Sequence, residues 1–297
     1  MKTTRKLREL LARKEPLVCA GGHDALSARM AAQAGFDAVY MTGAGVSAAL
    51  LGQPDVGLAT LTEMADQARR MASAARGVPL LCDADTGYGN AINAMRTVRE
   101  YERAGVAALH IEDQSLPKKC GHFEGKELIS IDEMVGKVRA ALDAREDPDF
   151  LVIARTDARS VSGLPEAIAR AKACVEAGAE AIFLETPRSP EEYAEVARAL
   201  PGVILVADVT EGGKSPSLSA AEYYRLGFQI VLFSGSASRA VMATLRDFYA
   251  RLKVDGSTNG MTSTIIPFDE RNRTLGLAEF YELERKYSAR GHGQKGG

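Results

Sequence analysis

Apolar positions in this chain fall into short runs separated by stretches of helical period, and the alternation repeats. Four segments share one pattern: Ala34-Gly-Phe-Asp-Ala-Val39, Ala104-Gly-Val-Ala-Ala-Leu109, Ala177-Gly-Ala-Glu-Ala-Ile182 and Leu226-Gly-Phe-Gln-Ile-Val231. In each, a helical pattern ends at a glycine suited to a left-handed C-cap, and an apolar strand follows directly. Further joins lie at Gly77-Val-Pro-Leu-Leu81, Asp147-Pro-Asp-Phe-Leu-Val-Ile153 and Pro201-Gly-Val-Ile-Leu-Val206. With Leu17-Val-Cys-Ala20 as the first, eight strands are predicted, beginning near residues 17, 37, 79, 106, 150, 180, 203 and 229.

Strands that are apolar on both faces and alternate with helices form a parallel sheet covered by helices. Eight such units predict closure into a (β/α)8 TIM-type barrel. No GxGxxG follows the first strand, which argues against a dinucleotide-binding sheet. A single domain is expected, with the barrel over about residues 10–253 and a helical extension over about 257–290. The extension carries a last helical pattern from Leu275 to Tyr287, and Gly291 to Gly297 is expected to be disordered. The segment Ser115 to Ile129 is too long for an ordinary βα loop.

Composition narrows the partners. At 46% hydrophobic the 297-residue chain can bury a large core, so a disordered or fibrous reading fails. Lys and Arg (37) nearly balance Asp and Glu (39), and basic runs stop at pairs such as Lys118-Lys119. No nucleic acid partner is therefore expected. No apolar run approaches a membrane span, and charges interrupt Leu7 to Arg13, so neither a membrane partner nor a signal peptide is expected. The four cysteines are widely spaced without CxxC, which suits a reducing, cytoplasmic compartment.

In a βα barrel the chemistry sits at the C-terminal strand ends. Those ends here read Tyr40-Met-Thr-Gly-Ala-Gly45, Asp83-Ala-Asp85, His110-Ile-Glu-Asp113, Arg155-Thr-Asp157, Glu185, Asp208 with Glu211, and Ser234 to Ser236. Acids thus converge from five strands, and without a cation they would repel one another and raise their own pKa values. Asp83 and Asp85, two apart on a strand, are expected to point the same way and, with Glu112, to form a hard-oxygen cluster suited to Mg²⁺. The alternative is that Asp83 caps a loop while Asp85 caps the next helix. Lys118-Lys-Cys-Gly-His122 surrounds one thiol with two ammonium groups and an imidazole. These should depress the Cys120 pKa, or equally let the thiol deliver a proton and hold the thiolate. Arg155 ends an apolar strand, where it is expected to bind an anion while Asp157 or Glu185 orients its fork. Backbone N–H groups of Thr42-Gly43-Ala44-Gly45 are expected to offer a carboxylate or oxyanion cradle. His110 lies within a strand and reads as a satisfied core histidine.

These motifs resemble the isocitrate lyase/phosphoenolpyruvate mutase superfamily. Thr42-Gly-Ala-Gly-Val-Ser47, Leu51-Gly-Gln-Pro-Asp55, Asp83-Ala-Asp-Thr-Gly-Tyr-Gly89, His110-Ile-Glu-Asp-Gln114, Lys118-Lys-Cys-Gly-His122 and Ala154-Arg-Thr-Asp157 carry the likeness. It runs from about residue 10 to 285. The cysteine-bearing motif marks the lyase branch, which includes 2-methylisocitrate and 2,3-dimethylmalate lyases and the oxaloacetate hydrolases. Carboxyphosphonoenolpyruvate phosphonomutase is also similar.

The resemblance implies that Asp83, Asp85 and Glu112 organise Mg²⁺ (Mn²⁺ being a possible substitute), with Asp55 nearby. It implies that Thr42, Gly43, Ala44 and Arg155 hold a substrate carboxylate and that the Cys120 loop closes over the site. Gly121, Glu185, Asp208 and Ser236 are expected to line the substrate, with His122 beside Cys120. It also implies a homotetramer in which the C-terminal helix swaps between neighbours. Two departures concern the substrate: Asp208 stands where relatives have Asn, and Ser234-Gly235 where methylisocitrate lyases have Pro-Leu. Asp208 must then be protonated, paired with a cation such as Lys214, or facing another group.

The expected reaction is Mg²⁺-dependent retro-aldol cleavage of a 2-hydroxy diacid, with Cys120 protonating the departing carbanion. Tyr40, Glu112 and a metal-linked hydroxide remain as bases. Phosphonomutase chemistry, oxaloacetate hydrolysis or decarboxylation, and a barrel kept for binding alone are the competing readings.

Overall fold

The computed structural model describes residues 1–288; the tail from Gly291 to Gly297, expected to be disordered, lies outside the described residues. Eight strands form a closed, parallel barrel in sequence order. They are β1 (Leu17–Gly22), β2 (Ala38–Met41), β3 (Leu80–Asp83), β4 (Ala108–Glu112), β5 (Leu151–Thr156), β6 (Ala181–Leu184), β7 (Ile204–Asp208) and β8 (Ile230–Phe233). β1 and β8 close the ring, with Leu17 opposite Ile230 and Ala20 opposite Phe233.

Local sequence accounts for the helix starts. Asp24, Thr60, Asn90 and Ser219 each form a reciprocal capping box with the residue three positions on, which satisfies two otherwise orphaned backbone donors. Gly35, Gly105, Gly178 and Gly227 all have positive φ, as the repeat requires of a left-handed helix stop.

Two clusters fill the space between strands and outer helices. A third fills the barrel and includes Cys19, Tyr40, Leu81, Ala108, Ile153, Phe183, Val206 and Leu232. Leu7 and Leu10, from the helix Thr3–Leu11, join this inner cluster. Arg8 of that helix donates to the Asp149 carbonyl and pairs with Glu180 at 2.8 Å, near the N-terminal ends of β5 and β6. The helix therefore seals the end of the barrel opposite the expected chemistry.

The chain divides into two compact units, Met1–Ala240 and Val241 onward. The second holds the end of the helix Ser236–Asp255, a short turn at Asn259–Thr264, and the helices Phe268–Leu275 and Leu277–Tyr287. Neither of these last two helices has a buried residue, and Phe268, Phe280, Tyr281 and Tyr287 stand exposed. Among the described residues no helix is long and apolar enough to cross a membrane.

Candidate active site

The ladder itself collects the polar residues. The β3 and β4 register puts Asp83 opposite His110, and the β4 and β5 register puts Glu112 opposite Arg155. Glu185 follows β6 directly and Asp208 ends β7, so neighbouring strand ends present neighbouring functional groups.

Asp83 and Asp85 differ from expectation. β3 stops at Asp83, and Asp85 has φ +46°, so the two do not share one face of a strand. Asp83 Oδ1 instead accepts the Asp85 N–H at 2.9 Å, as a loop cap would. The following helix is capped by Asn90, not by Asp85. The turn is held from behind: Tyr101 donates to the Asp83 carbonyl (2.9 Å), Thr97 to that of Gly87 (3.1 Å) and Lys137 to that of Thr86 (3.2 Å). Gly43 has to be glycine here, because a Cβ would lie 2.5 Å from Asp83 Oδ2.

Lys118 enters this acid group. Its Nζ lies 2.5 Å from Oδ1 of both Asp55 and Asp85, and the side chain is almost fully buried. Burial pushes the Asp85 carboxyl up to about 7, against the pull of Lys118, and Asp83 and Asp55 add repulsion. Burial also works to raise Asp83, but His110, Lys118 and Arg155 outweigh it and hold that group at about 2. Glu112 is raised well above the usual carboxylate range by burial; its Oε2 faces Arg155 Nε at 3.3 Å, and its Oε1 makes no hydrogen bond among the described residues.

The donor set is all carboxylate oxygen, contains an unsatisfied buried oxygen, and already draws an ammonium between two of its acids. That suits a hard divalent cation such as Mg²⁺, which keeps waters and needs few protein ligands.

The expectation of a depressed Cys120 pKa is corrected. Burial pushes the thiol up to about 11; the His122 N–H and Arg155 lower it, while Asp55 and Glu185 raise it. Sequence neighbours misled because their charges turn elsewhere: Lys118 to Asp55 and Asp85, and Lys119 to the Gly125 carbonyl at 2.7 Å. The loop is nevertheless packed on the strand ends. Gln114 brackets it through Nε2 to the Lys119 carbonyl and Oε1 to the Lys119 N–H. A Cβ at Gly121 would lie 2.7 Å from both Arg155 Nη2 and the Glu185 side chain. Lys126, which was not anticipated, donates to the Gly121 carbonyl and lies 3.5 Å from Asp157.

Arg155 is oriented by Asp157, through Nε (3.1 Å) and Nη2 (3.3 Å). Asp113 stays outside the cavity chemistry, accepting from Thr156, the Asp157 N–H and Arg170. Tyr40 Oη lies 2.7 Å from His110 Nε2, and burial first, then Asp83, raises the phenol well above its normal range. Burial lowers His110 to about 4. His110 is thus a core residue that also contacts the site, a role with no signal in its strand position. Thr42 Oγ1 accepts the Gly45 N–H and caps the short helix Gly43–Val46.

At the end of β7, Asp208 does not pair with Lys214, which binds Glu124 at 2.6 Å. It accepts from Thr210 (2.9 Å) and faces His122 Nε2 at 4.0 Å; the same nitrogen is 3.4 Å from Glu185 Oε1. Ser236 is engaged by Glu211, at 2.5 Å. His122, Glu185 and Asp208 each offer a ligand atom within 4.8 Å of the others, a group that sequence reasoning did not assign to metal. Its chemistry speaks against a metal centre. The Lys214 backbone N–H donates to His122 Nδ1 at 3.1 Å, so the ring hydrogen sits on Nε2, the atom that would have to coordinate.

Residues 7–253 match the family model described as phosphoenolpyruvate phosphomutase. The chain is 48% identical to 2,3-dimethylmalate lyase of Eubacterium barkeri over 97% of this chain and 99% of that one. It is 40% identical to 2-methylisocitrate lyase of Aeropyrum pernix, over 95% and 90%. A solved structure of 2,3-dimethylmalate lyase, described as a PEP mutase/isocitrate lyase superfamily member, matches with TM-score 0.92 and 39% identity, covering 100% of this chain and 99% of that one. Oxaloacetate acetylhydrolase with the inhibitor 3,3-difluorooxalacetate matches at TM-score 0.91 and 39% identity, with the same coverage. Phosphonopyruvate hydrolase with oxalate and Mg²⁺ matches at 0.87 and 32%, covering 97% and 99%. On the strength of the matched length and identity, this chain belongs to the phosphoenolpyruvate phosphomutase family, within the PEP mutase/isocitrate lyase superfamily.

Proposed function

We propose that this enzyme is a Mg²⁺-dependent carbon–carbon lyase that cleaves a small 2-hydroxy diacid of the dimethylmalate or methylisocitrate type. The observation that carries the reading is Cys120, a thiol kept protonated by burial on a loop packed against Arg155 and Glu185. A group in that state can give a proton to a carbanion as soon as one forms.

Asp83, Asp85, Glu112 and Asp55 would hold the metal, directly or through water. When bound, the ion lowers the pKa of a 2-hydroxyl and offsets charge on the neighbouring carboxylate. Against the burial that raises its pKa, Arg155, Lys118 and the ion hold Glu112 as the carboxylate, which accepts the hydroxyl proton. Tyr40 is too hard to ionise to serve as that base and acts instead as a donor. The bond between C2 and C3 breaks, leaving a 2-oxo acid, and its electrons pass into the C3 carboxylate. Arg155, held flat by Asp157, and the Gly43 and Ala44 backbone N–H groups stabilise the resulting negative charge, while the Thr42 N–H is already given to the Gly22 carbonyl at 3.1 Å. Cys120 then protonates C3.

Proton NMR with Mg²⁺ and a panel of dimethylmalate, methylisocitrate, isocitrate, citramalate and oxaloacetate tests the assignment. Cleavage of the first or second supports it, and inertness to all five refutes it. The likeness to phosphonopyruvate hydrolase supports a second reading, C–P chemistry, which phosphorus NMR with phosphonopyruvate would reveal.

The exposed aromatic residues of the two last helices support assembly through a second copy of the chain, as a homotetramer with the C-terminal helix exchanged. Four free thiols suit a reducing, cytoplasmic setting.

A further inference from the structure

Glu185 and Asp208 sit at the ends of adjacent strands and face the same imidazole. Glu185 is only 2% exposed. Its Oε2, Asp208 Oδ1 and His122 Nε2 are all buried and make no hydrogen bond among the described residues. Three unsatisfied polar atoms around one space imply a ligand there.

The available charge is wrong for a simple anion site. Arg155 is the nearest cation, but it is shared with Asp157 and Glu112. Lys126 is committed to Asp157 and the Gly121 carbonyl, and Lys214 to Glu124. An incoming carboxylate would therefore meet two more carboxylates on the side away from Arg155, with only the His122 Nε2–H as a donor there. The ligand atoms of His122, Glu185 and Asp208 lie within 4.8 Å of one another, so a third carboxylate arriving beside the two acids favours uptake of a proton.

We propose that Glu185 and Asp208 share one proton when the diacid binds, so that the carboxylate remote from the metal enters together with that proton. This rests on the lyase reading above. The shared proton turns Glu185 from an acceptor into a donor, and with His122 Nε2–H it gives the substrate carboxylate two hydrogen bonds. Burial raises Glu185 to about 7; Arg155 and His122 pull it down, while Asp208 and Asp157 push it up. Glu185 is therefore poised to take up the proton near neutral pH. Asp208 is the residue that makes the pair; an amide there would leave Glu185 without its like-charged neighbour.

Calorimetry of the Mg²⁺-loaded protein at about pH 8, in buffers of differing ionisation enthalpy, counts the protons taken up. The probes are 3,3-difluorooxalacetate, which carries a second carboxylate beyond its 2-oxo acid group, and oxalate, whose two carboxylates are joined directly and leave none remote from a chelated ion. Uptake of about one proton is expected with the first and near none with oxalate. It should be lost in both D208N and E185Q while oxalate binding persists in each. Equal uptake for the two probes, or unchanged uptake in D208N, would overturn the shared proton. Failure of oxalate to bind with Mg²⁺ would overturn the lyase reading and this inference with it.

Discussion

Lys118 Nζ lies 2.5 Å from Asp85 Oδ1 and the same distance from Asp55 Oδ1, so one ammonium bridges two buried acids. The ammonium partly neutralises acids that are otherwise buried together. Replacing Lys118 with Met should raise the pKa of Asp85 above its present value of about 7, since the attraction that lowers it is gone. Mn²⁺ binding followed by electron paramagnetic resonance should then require higher pH in the variant than in the parent. An identical pH profile would show that Lys118 does not act on these acids.

The same acids make stability depend on pH. Asp85 and Glu185 both rise to about 7 in the folded chain, against ordinary carboxylate values when unfolded. The folded state therefore binds more protons between those limits, so its stability falls as pH rises through that window. The metal-free protein should melt at lower temperature at about pH 7.5 than at about pH 5.5, and Mg²⁺ should recover most of the difference. A melting temperature that climbs over this range would contradict the assigned shifts.

Cys120→Ser should cut turnover by about 10²- to 10⁴-fold, the usual contribution of a positioned acid, while leaving Mn²⁺ affinity unchanged. Turnover equal to the parent's would remove the thiol from the chemistry.

Gly121→Ala tests the loop by space alone. The new methyl would lie 2.7 Å from Arg155 Nη2 and from Glu185, so the loop or the guanidinium must shift. A loss of activity is expected, with a stability cost of about 1–3 kcal/mol by denaturant melts. Parent-like activity would mean that the loop need not pack this closely.

If the proposed homotetramer forms through these exposed aromatics, exchange of both Phe268 and Phe280 for Lys should reduce it to smaller species in sedimentation velocity. An unchanged particle would place the interface elsewhere.

The barrel was legible because each strand is a bounded apolar run behind a glycine stop, and all eight strands begin within two residues of their predicted starts. The acids at the strand ends were legible for the same reason, since a strand's last residues must face the rim. What stayed hidden depends on long side chains and unusual backbone. A positive φ at Asp85, a non-glycine residue, leaves no compositional trace. The direction of Lys118 is set by acids 63 and 33 positions away in sequence, Asp55 and Asp85. The thiol's burial outweighed the charges written beside it. The His122, Glu185 and Asp208 group joins a loop to two strand ends and exists only once the barrel closes.

Of the chain's four sulfhydryls, Cys19, Cys82 and Cys174 are buried and only Cys120 is partly open to solvent. A maleimide or iodoacetamide should therefore attach at one position without any engineering of the others. Because the thiolate is scarce until alkaline pH, that labelling will be slow at neutrality and will quicken as the pH climbs toward about 11, so its rate reads the ionisation of this one thiol.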